Sequence, residues 1–479
     1  MTKSMLVYGA ILGGALAVSG CGGTGADSAG EGSVASSTGA LSVGCKLDGE
    51  TRFFVPPPDP GAVKQIADLI KKRDLKNAAR LTAMVTTPQA VWFTSGTPQE
   101  VEKSVKKTIA AAALERRVPV LVAYNVPFRD CAQYSGGGAV DTAAYKAWID
   151  AFAKGIGTSK AVVILEPDSL GIIPYNTTIY GAEEWCKPTV TAADGSSTPA
   201  PGASPAERYT QLQYAATSLA SRAPNTSVYL DGTHAAWLGV GEAAYRIHKA
   251  STDPVSGASL AKGFYVNASN FQTTDQSVQF STWVSMCTAF ATNPEEGGWR
   301  LGNFGWCASQ YNPATGYGLD YTPEYVASVT AQIQGLMGSA VATLPFVVDT
   351  SRNGRGTLNA SQYAAAPYNQ PDGVISGLNA GAWCNPPGAG LGLRPSSTTG
   401  VPLLDAYLWV KTPGQSDGTC DIAGGARAWD YSQYNPWGLS GDDAQKHFDP
   451  LWGRVDPAAG AWFPAQALEL AKNASPPLF

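Results

Sequence analysis

The residues Ala161-Val162-Val163-Ile164-Leu165 form an unbroken apolar run, and Glu166-Pro167-Asp168-Ser169-Leu170-Gly171 follow at once. Such a run, rich in β-branched side chains, reads as a strand buried on both faces. Pro167 stops the strand and leaves two carboxylates at its carboxyl end, where α/β folds gather their chemistry. A plainer reading also fits the pair alone, with Asp168 capping the next helix and Glu166 making a structural hydrogen bond. What favours chemistry is that other strands of the chain end in the same way.

The rest of the body alternates strand and helix. Helical periodicity covers Ala62 to Ala83, and Ala90 to Phe93 is a short strand. Thr97-x-x-Glu100, with Pro98 at the first helical position, is a capping box that opens a helix to Arg117. Val118 to Tyr124 is a strand and Thr142 to Ile156 a helix. Pro188 to Pro205, rich in Pro, Gly, Ser and Thr, is a surface insertion, followed by a helix to Arg222. Then come a strand Ser227 to Leu230, a helix near Glu242 to Lys249 and a strand Gly263 to Val266. Asn270 to Tyr321 shows little periodicity and three Trp, which suggests a long loop excursion. Thr322 to Ala342 is helical, Pro345 to Val348 and Leu404 to Val410 are strands, and Pro464 to Lys472 is a short closing helix. Seven strands separated mostly by helices imply an α/β fold, a distorted parallel β/α barrel with long loops. An open doubly wound sheet is the alternative, and the lack of a glycine fingerprint for dinucleotides or phosphates argues against it.

Ahead of this body, Lys3 precedes an apolar run from Met5 to Ala17 and then Val18-Ser19-Gly20-Cys21. That is a secretory signal, too short to span a membrane as a mature helix. The small residues ending on Cys fit a bacterial lipobox, with cleavage before Cys21 and lipidation of its thiol; a plain signal peptide cut nearby is the alternative. Gly22 to Leu41 is a Gly/Ser/Ala/Thr tether. The expected organisation is a signal over 1–20, a lipidated Cys and tether over 21–44, and one globular domain over 45–479. The product is exported, as a cell-surface or outer-membrane lipoprotein or otherwise secreted. Export makes disulfides plausible. With Cys21 lipidated, seven of the eight Cys remain, so one stays single, and Cys45 is nearest the flexible N-terminus. The net charge of −5, without a basic patch, excludes nucleic acid as a natural partner.

Polar residues recur at the strand ends: Tyr124, Asn125 and Arg129-Asp130; Glu166 and Asp168; Asp231 and His234; Asn267; Asp349; and Lys411 with Asp417 beyond it. In a barrel these converge on one face. The three His lack metal-ligand spacing, and no Gly-x-Ser-x-Gly elbow stands at a strand end. Neither a metal nor another cofactor is expected. Thirteen Trp suggest exposed aromatic surface as well as core, suited to the apolar faces of sugars. Paired carboxylates without metal, in a Trp-rich cleft outside the cell, point to glycoside hydrolysis.

Ala123 to Cys131, Val162 to Gly171, Asp231-Gly-Thr-His-Ala-Ala-Trp-Leu-Gly239, Trp383-Cys384-Asn385, Asp405 to Gly418 and Gly460-Ala-Trp-Phe463 together resemble glycoside hydrolase family 6. The likeness runs from about Phe53 to Leu478. It implies a distorted seven-stranded barrel and inverting hydrolysis of cellulose by a cellobiohydrolase or an endoglucanase. By motif, Asp168 matches the general acid, Asp130 the neighbouring carboxylate that raises its pKa, and Asp417 the proposed base. Tyr124 matches a tyrosine that crowds the sugar at the cleavage point. Trp237 and Trp383 match stacking platforms, and Lys411 contacts sugar hydroxyls; His234, Asn267 and Ser135 are further candidates for substrate contact. The resemblance also pairs Cys131 with Cys186 and Cys384 with Cys420, and Cys287 with Cys307 then closes the 270–321 excursion. Two positions depart from the pattern. Gly136, with Ser135 beside it, stands where members often have a water-holding serine, and Val240 stands where many cellobiohydrolases carry a second Trp.

The resulting expectation is a monomeric enzyme whose partners are cellulose or another β-1,4-glucan and, through the lipid anchor only, a membrane. A non-catalytic glucan-binding surface protein is the competing class. Chain-end action is expected over internal cutting, because the aromatic segment between Asp417 and Gly460 is long enough to roof the cleft near Lys411 and Asp417, with the 270–321 excursion adding to the rim.

Overall fold

The computed structural model describes Leu47 and residues 49–316, 318–421 and 427–479. The expected signal, the tether, Cys21 and Cys45 lie outside the described residues. Seven parallel strands, β1 (Val91–Phe93), β2 (Val120–Ala123), β3 (Ala161–Leu165), β4 (Thr226–Asp231), β5 (Gly263–Val266), β6 (Phe346–Asp349) and β7 (Leu404–Leu408), lie side by side in chain order. The alternation along each strand builds two cores. Val120, Val122, Val162, Ile164, Tyr229, Tyr265, Val347, Ala406 and Leu408 point into the curl of the sheet. Leu121, Ala123, Val163, Leu165, Val228, Leu230, Phe264 and Val348 point out against the helices. Both faces are dry, which is why β3 is apolar at every position. The sheet curls until its edges meet without forming a ladder: Ala90 N–H donates to the Trp409 carbonyl (2.9 Å) and the Trp92 indole to the Val410 carbonyl (2.8 Å).

The helical layer is α1 (Pro60–Lys71), α2 (Leu75–Val85), α3 (Pro98–Leu114), α4 (Thr142–Ile156), α5 (Pro205–Arg222), α6 (Val240–Ser251), α7 (Thr274–Ala291) and α8 (Pro323–Met337). After it come α9 (Asp372–Ala380), α10 (Asp442–Lys446) and α11 (Pro464–Lys472). Most starts follow their caps, including the Thr97–Glu100 box of α3. The single helix expected over 62–83 is two, because Arg73 takes a positive φ of 61° and the Asp74 carboxylate then caps α2. The 270–321 stretch is no simple loop excursion, since α7 runs through it. Ser277, Phe280, Trp283, Val284, Met286, Cys287 and Phe290 bury this helix on most of its circumference, so no polar stripe marks it in the sequence. Its Thr273–Gln276 capping box was the available signal. The 188–205 insertion is an exposed hairpin pairing Thr189–Thr191 with Ser197–Pro199.

Disulfides join Cys131 to Cys186, Cys287 to Cys307 and Cys384 to Cys420. The first ties the loop after β2 to the loop after β3. The second fastens the turn that follows α7 back onto that helix.

Candidate active site

The loops after the strands enclose a cavity of about 330 Å³ at the carboxyl end of the sheet. Its floor and walls are acidic and aromatic: Asp130, Asp168 and Asp417 with Lys411, under Tyr124 and four indoles, Trp92, Trp185, Trp237 and Trp383. Ser135 and His234 line it too. The residues expected to act in catalysis or touch substrate are thus brought together except Asn267. That residue is fully buried beneath the cavity, its amide donating to the Gln272 and Asp349 carbonyls and its oxygen accepting from Gln272 N–H. A side chain with its donors and acceptor so engaged has nothing left for a ligand; its successors Ala268, Ser269 and Asn270 face the cavity instead.

The same sorting separates the strand-end carboxylates. Glu166 is buried, and its Oε2 accepts from the N–H groups of Asn125 and Val126 at 2.8 and 2.9 Å, lacing β3 to the loop after β2. Asp349 accepts from Ser269, Ser351, Val410 and Lys411 N–H and fixes three loops at once. Asp231 accepts from Leu170, Gly171 and Thr233 N–H, which anchors the turn carrying Asp168. Asp168 itself follows Pro167 with a left-handed φ of 65° that turns its carboxyl away from the strand and into the cavity. Gly171 closes this turn: a Cβ there would come within 2.7 Å of the Trp237 ring, so glycine lets the indole lie against it.

Electrostatics then differentiate the acids that line the cavity. Burial, followed by the negative charges of Asp231, Asp130 and Asp417, holds the Asp168 carboxyl well above the usual range, against a smaller pull from Lys411. Burial lifts Asp130 to about 6, although Ser135 N–H donates to its Oδ2 at 2.8 Å. Asp417 goes the other way. Burial alone pushes it up, but Arg352 (2.8 Å to Oδ2) and Lys411 (3.2 Å to Oδ1) outweigh that and hold it below the ordinary value. Asn385 N–H adds a third contact to Oδ2 at 3.0 Å. Burial lowers His234 to about 4, so it meets a ligand as neutral imidazole.

Arg352 is a neighbour of the cavity carboxylates that the strand-end pattern did not single out. Arg352, buried within the run Asp349 to Asn353 just past β6, is 65 residues from the carboxylate it pairs with. Arg129 organises the loop bearing Asp130. It donates to the Thr94, Tyr124, Ser135 and Gly136 carbonyls and lies over the Tyr124 ring, its carbon 4.5 Å from the ring centre. Val240 is buried in the core at the start of α6, away from the cavity.

The expected roof is only partly present. No described residue of 418–460 lines the cavity. Trp429 and Tyr434 pack instead with Tyr363, Tyr368 and Leu378, Trp437 packs on Phe448, and Trp452 packs on Phe463. What does cross toward this segment is Tyr134, whose hydroxyl donates to the Asp421 carbonyl at 2.9 Å while its ring meets Gly418 and Trp383. The described part of the 270–321 stretch contributes only Asn270. The potential metal ligands grouped among the described residues, Cys420, Asp449 and Asp456, lie outside the cavity, and the sulfur is already bonded to Cys384.

The model of the family described as glycosyl hydrolases family 6 matches residues 48–474. Among curated proteins, Endoglucanase 1 of Streptomyces sp. (strain KSM-9) is 30% identical over 335 residues, 70% of this chain and 65% of that protein. The probable 1,4-beta-D-glucan cellobiohydrolase C of Neosartorya fischeri is 27% identical over 376 residues, 74% of this chain and 62% of its own length. The chain therefore spans just under two thirds of each. Among solved structures, the endoglucanase Cel6 of Mycobacterium tuberculosis, in complex with a methyl-cellobiosyl-4-deoxy-4-thio-β-D-cellobioside, superposes with a TM-score of 0.52 at 28% identity, over 88% of this chain and 97% of that one.

Proposed function

The chain belongs to glycosyl hydrolases family 6, and from that premise we propose that it hydrolyses β-1,4-glucosidic bonds of cellulose or a similar glucan with inversion. The observation that carries this reading is Asp168, a carboxyl kept protonated by burial and three acidic neighbours at the floor of an indole-lined cavity. Such a group can give its proton to the leaving glycosidic oxygen. Tyr124, at the same wall, crowds the sugar whose bond is broken, and Trp92, Trp237 and Trp383 offer faces to its neighbours. Proton uptake from the attacking water, expected of Asp417, is better suited to Asp130. A carboxylate with both oxygens in ion pairs and a depressed pKa is a weak base. Asp130, at about 6, ionises near neutrality and keeps an oxygen for water. Asp417 then serves as the anion that holds Lys411 and Arg352 beside the substrate.

We read the action as internal cutting. What supports it is that the described part of 418–460 packs away from the cavity, leaving chain-end action without the roof on which that expectation rested. One observation favours the chain-end reading: the Tyr134–Asp421 hydrogen bond straps two loops together beside the catalytic carboxylates. Carboxymethylcellulose separates the two. A steep viscosity fall with little soluble sugar supports internal cutting, and steady cellobiose release at near-constant viscosity supports chain-end action. Proton NMR of the first product from cellohexaose should show the α-anomer; a β-anomer would remove the inverting assignment.

A further inference from the structure

A second cavity, of about 260 Å³, opens on the other side of Trp92. It lies at the seam of the sheet. There, among the described residues, the only backbone bond between the edges is Ala90 N–H to the Trp409 carbonyl, and Thr412 and Gln415, beyond β7, line the cavity opposite β1. One wall is Pro56-Pro57-Pro58, rigid and apolar; another is the indole of Trp462, partly exposed. Gln415 and Thr412 stand between them with neutral polar groups.

Trp462 is held as a platform. Its indole nitrogen donates to Gln65 Oε1 at 2.8 Å. A Cβ on Gly61 or on Gly414 would come within 2.6 Å of its side chain, so both glycines are needed for it to seat. Trp92 is the wall common to this cavity and the catalytic one. An indole, a proline wall, amide and hydroxyl groups and one carboxylate, Asp59, which accepts from the Gln415 amide at 3.2 Å, match the chemistry of one pyranose ring, an apolar face edged by hydroxyls.

We infer that this seam cavity is a further glucosyl-binding place, continuing the catalytic cleft past Trp92 and stacking a sugar on Trp462. The inference rests on the reading of the main cavity as a β-glucan site. A ring bound there carries the glucan on beyond the Trp92 end of the cleft, which internal cutting requires.

The test is the length dependence of kcat/KM for cello-oligosaccharides from cellotetraose to cellohexaose, with the cleaved bond located by one reducing-end ¹⁸O label. In the unmodified protein the value should rise with the first length that reaches past Trp92. Trp462→Ala should lose that rise, about tenfold, and should move the preferred bond; Trp462→Phe, which keeps a stacking face but not the Gln65 bond, should retain most of it. Gln415→Ala, which removes the amide bonded to Asp59 and leaves the backbone bridge to Trp462 in place, should weaken the same step and so guards against a folding defect in Trp462→Ala. A length profile and bond preference unchanged in Trp462→Ala and Gln415→Ala would overturn the inference, as would equal loss in Trp462→Ala and Trp462→Phe. Failure to cleave any cello-oligosaccharide would instead remove the β-glucan reading itself.

Discussion

Asp168 keeps its proton because it sits among acids that are not themselves free to move. Asp231 is the largest charge acting on it and is pinned by three backbone N–H groups. Asp168→Asn should therefore lose about 10²–10⁴-fold in turnover, the usual share of general acid catalysis. Cello-oligosaccharide binding, read by calorimetry, should persist, because the amide is nearly isosteric. Asp231→Asn tests the origin of the raised pKa. Removing that negative charge makes Asp168 easier to deprotonate, so the alkaline limb of the pH–rate profile should move to lower pH. A limb that stays in place would mean that burial and the remaining charges, not Asp231, set the proton affinity.

At the scale of elements, the loop after β2 carries Asp130 and Ser135 in a tight left-handed course, with Phe128, Asp130 and Cys131 all at positive φ. Arg129 and the Cys131–Cys186 bridge hold it there. Neither belongs to the sheet, so mild reduction should lower activity while the thermal transition measured by far-ultraviolet circular dichroism moves little. Loss of both together would show that the bridge supports the barrel rather than the loop. The strap is an element of its own. Tyr134→Ala removes the bond to Asp421 and the contact with Trp383. If the strap restrains the glucan, this variant should give a larger viscosity fall per bond cut in carboxymethylcellulose.

For the molecule as a whole, buried acids set the pH window of stability. Burial raises Glu166 to about 7, Asp231 to about 6 and Asp456, beside Asp449, to about 9. In the unfolded chain such groups titrate near ~4. Because the folded values are higher, the folded state binds more protons between these limits. The stabilisation is thus complete below the unfolded value and is lost as pH rises through about 6, 7 and 9. The melting temperature should fall from pH 5 to pH 9, and Glu166→Gln should flatten the part of that fall near neutrality. A melting temperature that rises over this range would contradict the assignment.

The sequence by itself determined the central strands, because where a parallel sheet is covered on both sides, as at β2 and β3, the strand runs are apolar throughout and legible without knowing their partners. It determined the helix starts where Thr97 or Pro464 marks them, and it located the face that holds the cavity, since carboxylates are excluded from the dry central runs and gather at their ends. Only the tertiary structure decided which of these carboxylates lines the cavity. Glu166 and Asp168 are two residues apart, chemically alike and both at positive φ, yet one carboxylate is engaged by N–H groups of the β2 loop while the other lines the cavity. Asn267 fell on the buried side of the same division, and Arg352 entered the site through a carboxylate 65 residues away. The aromatic segment near 429–452 was likewise decided in three dimensions, because Trp and Tyr suit a satellite core as well as a sugar platform. Helix α7 escaped notice for a related reason: burial on most of its circumference erases the polar stripe from which helices are read.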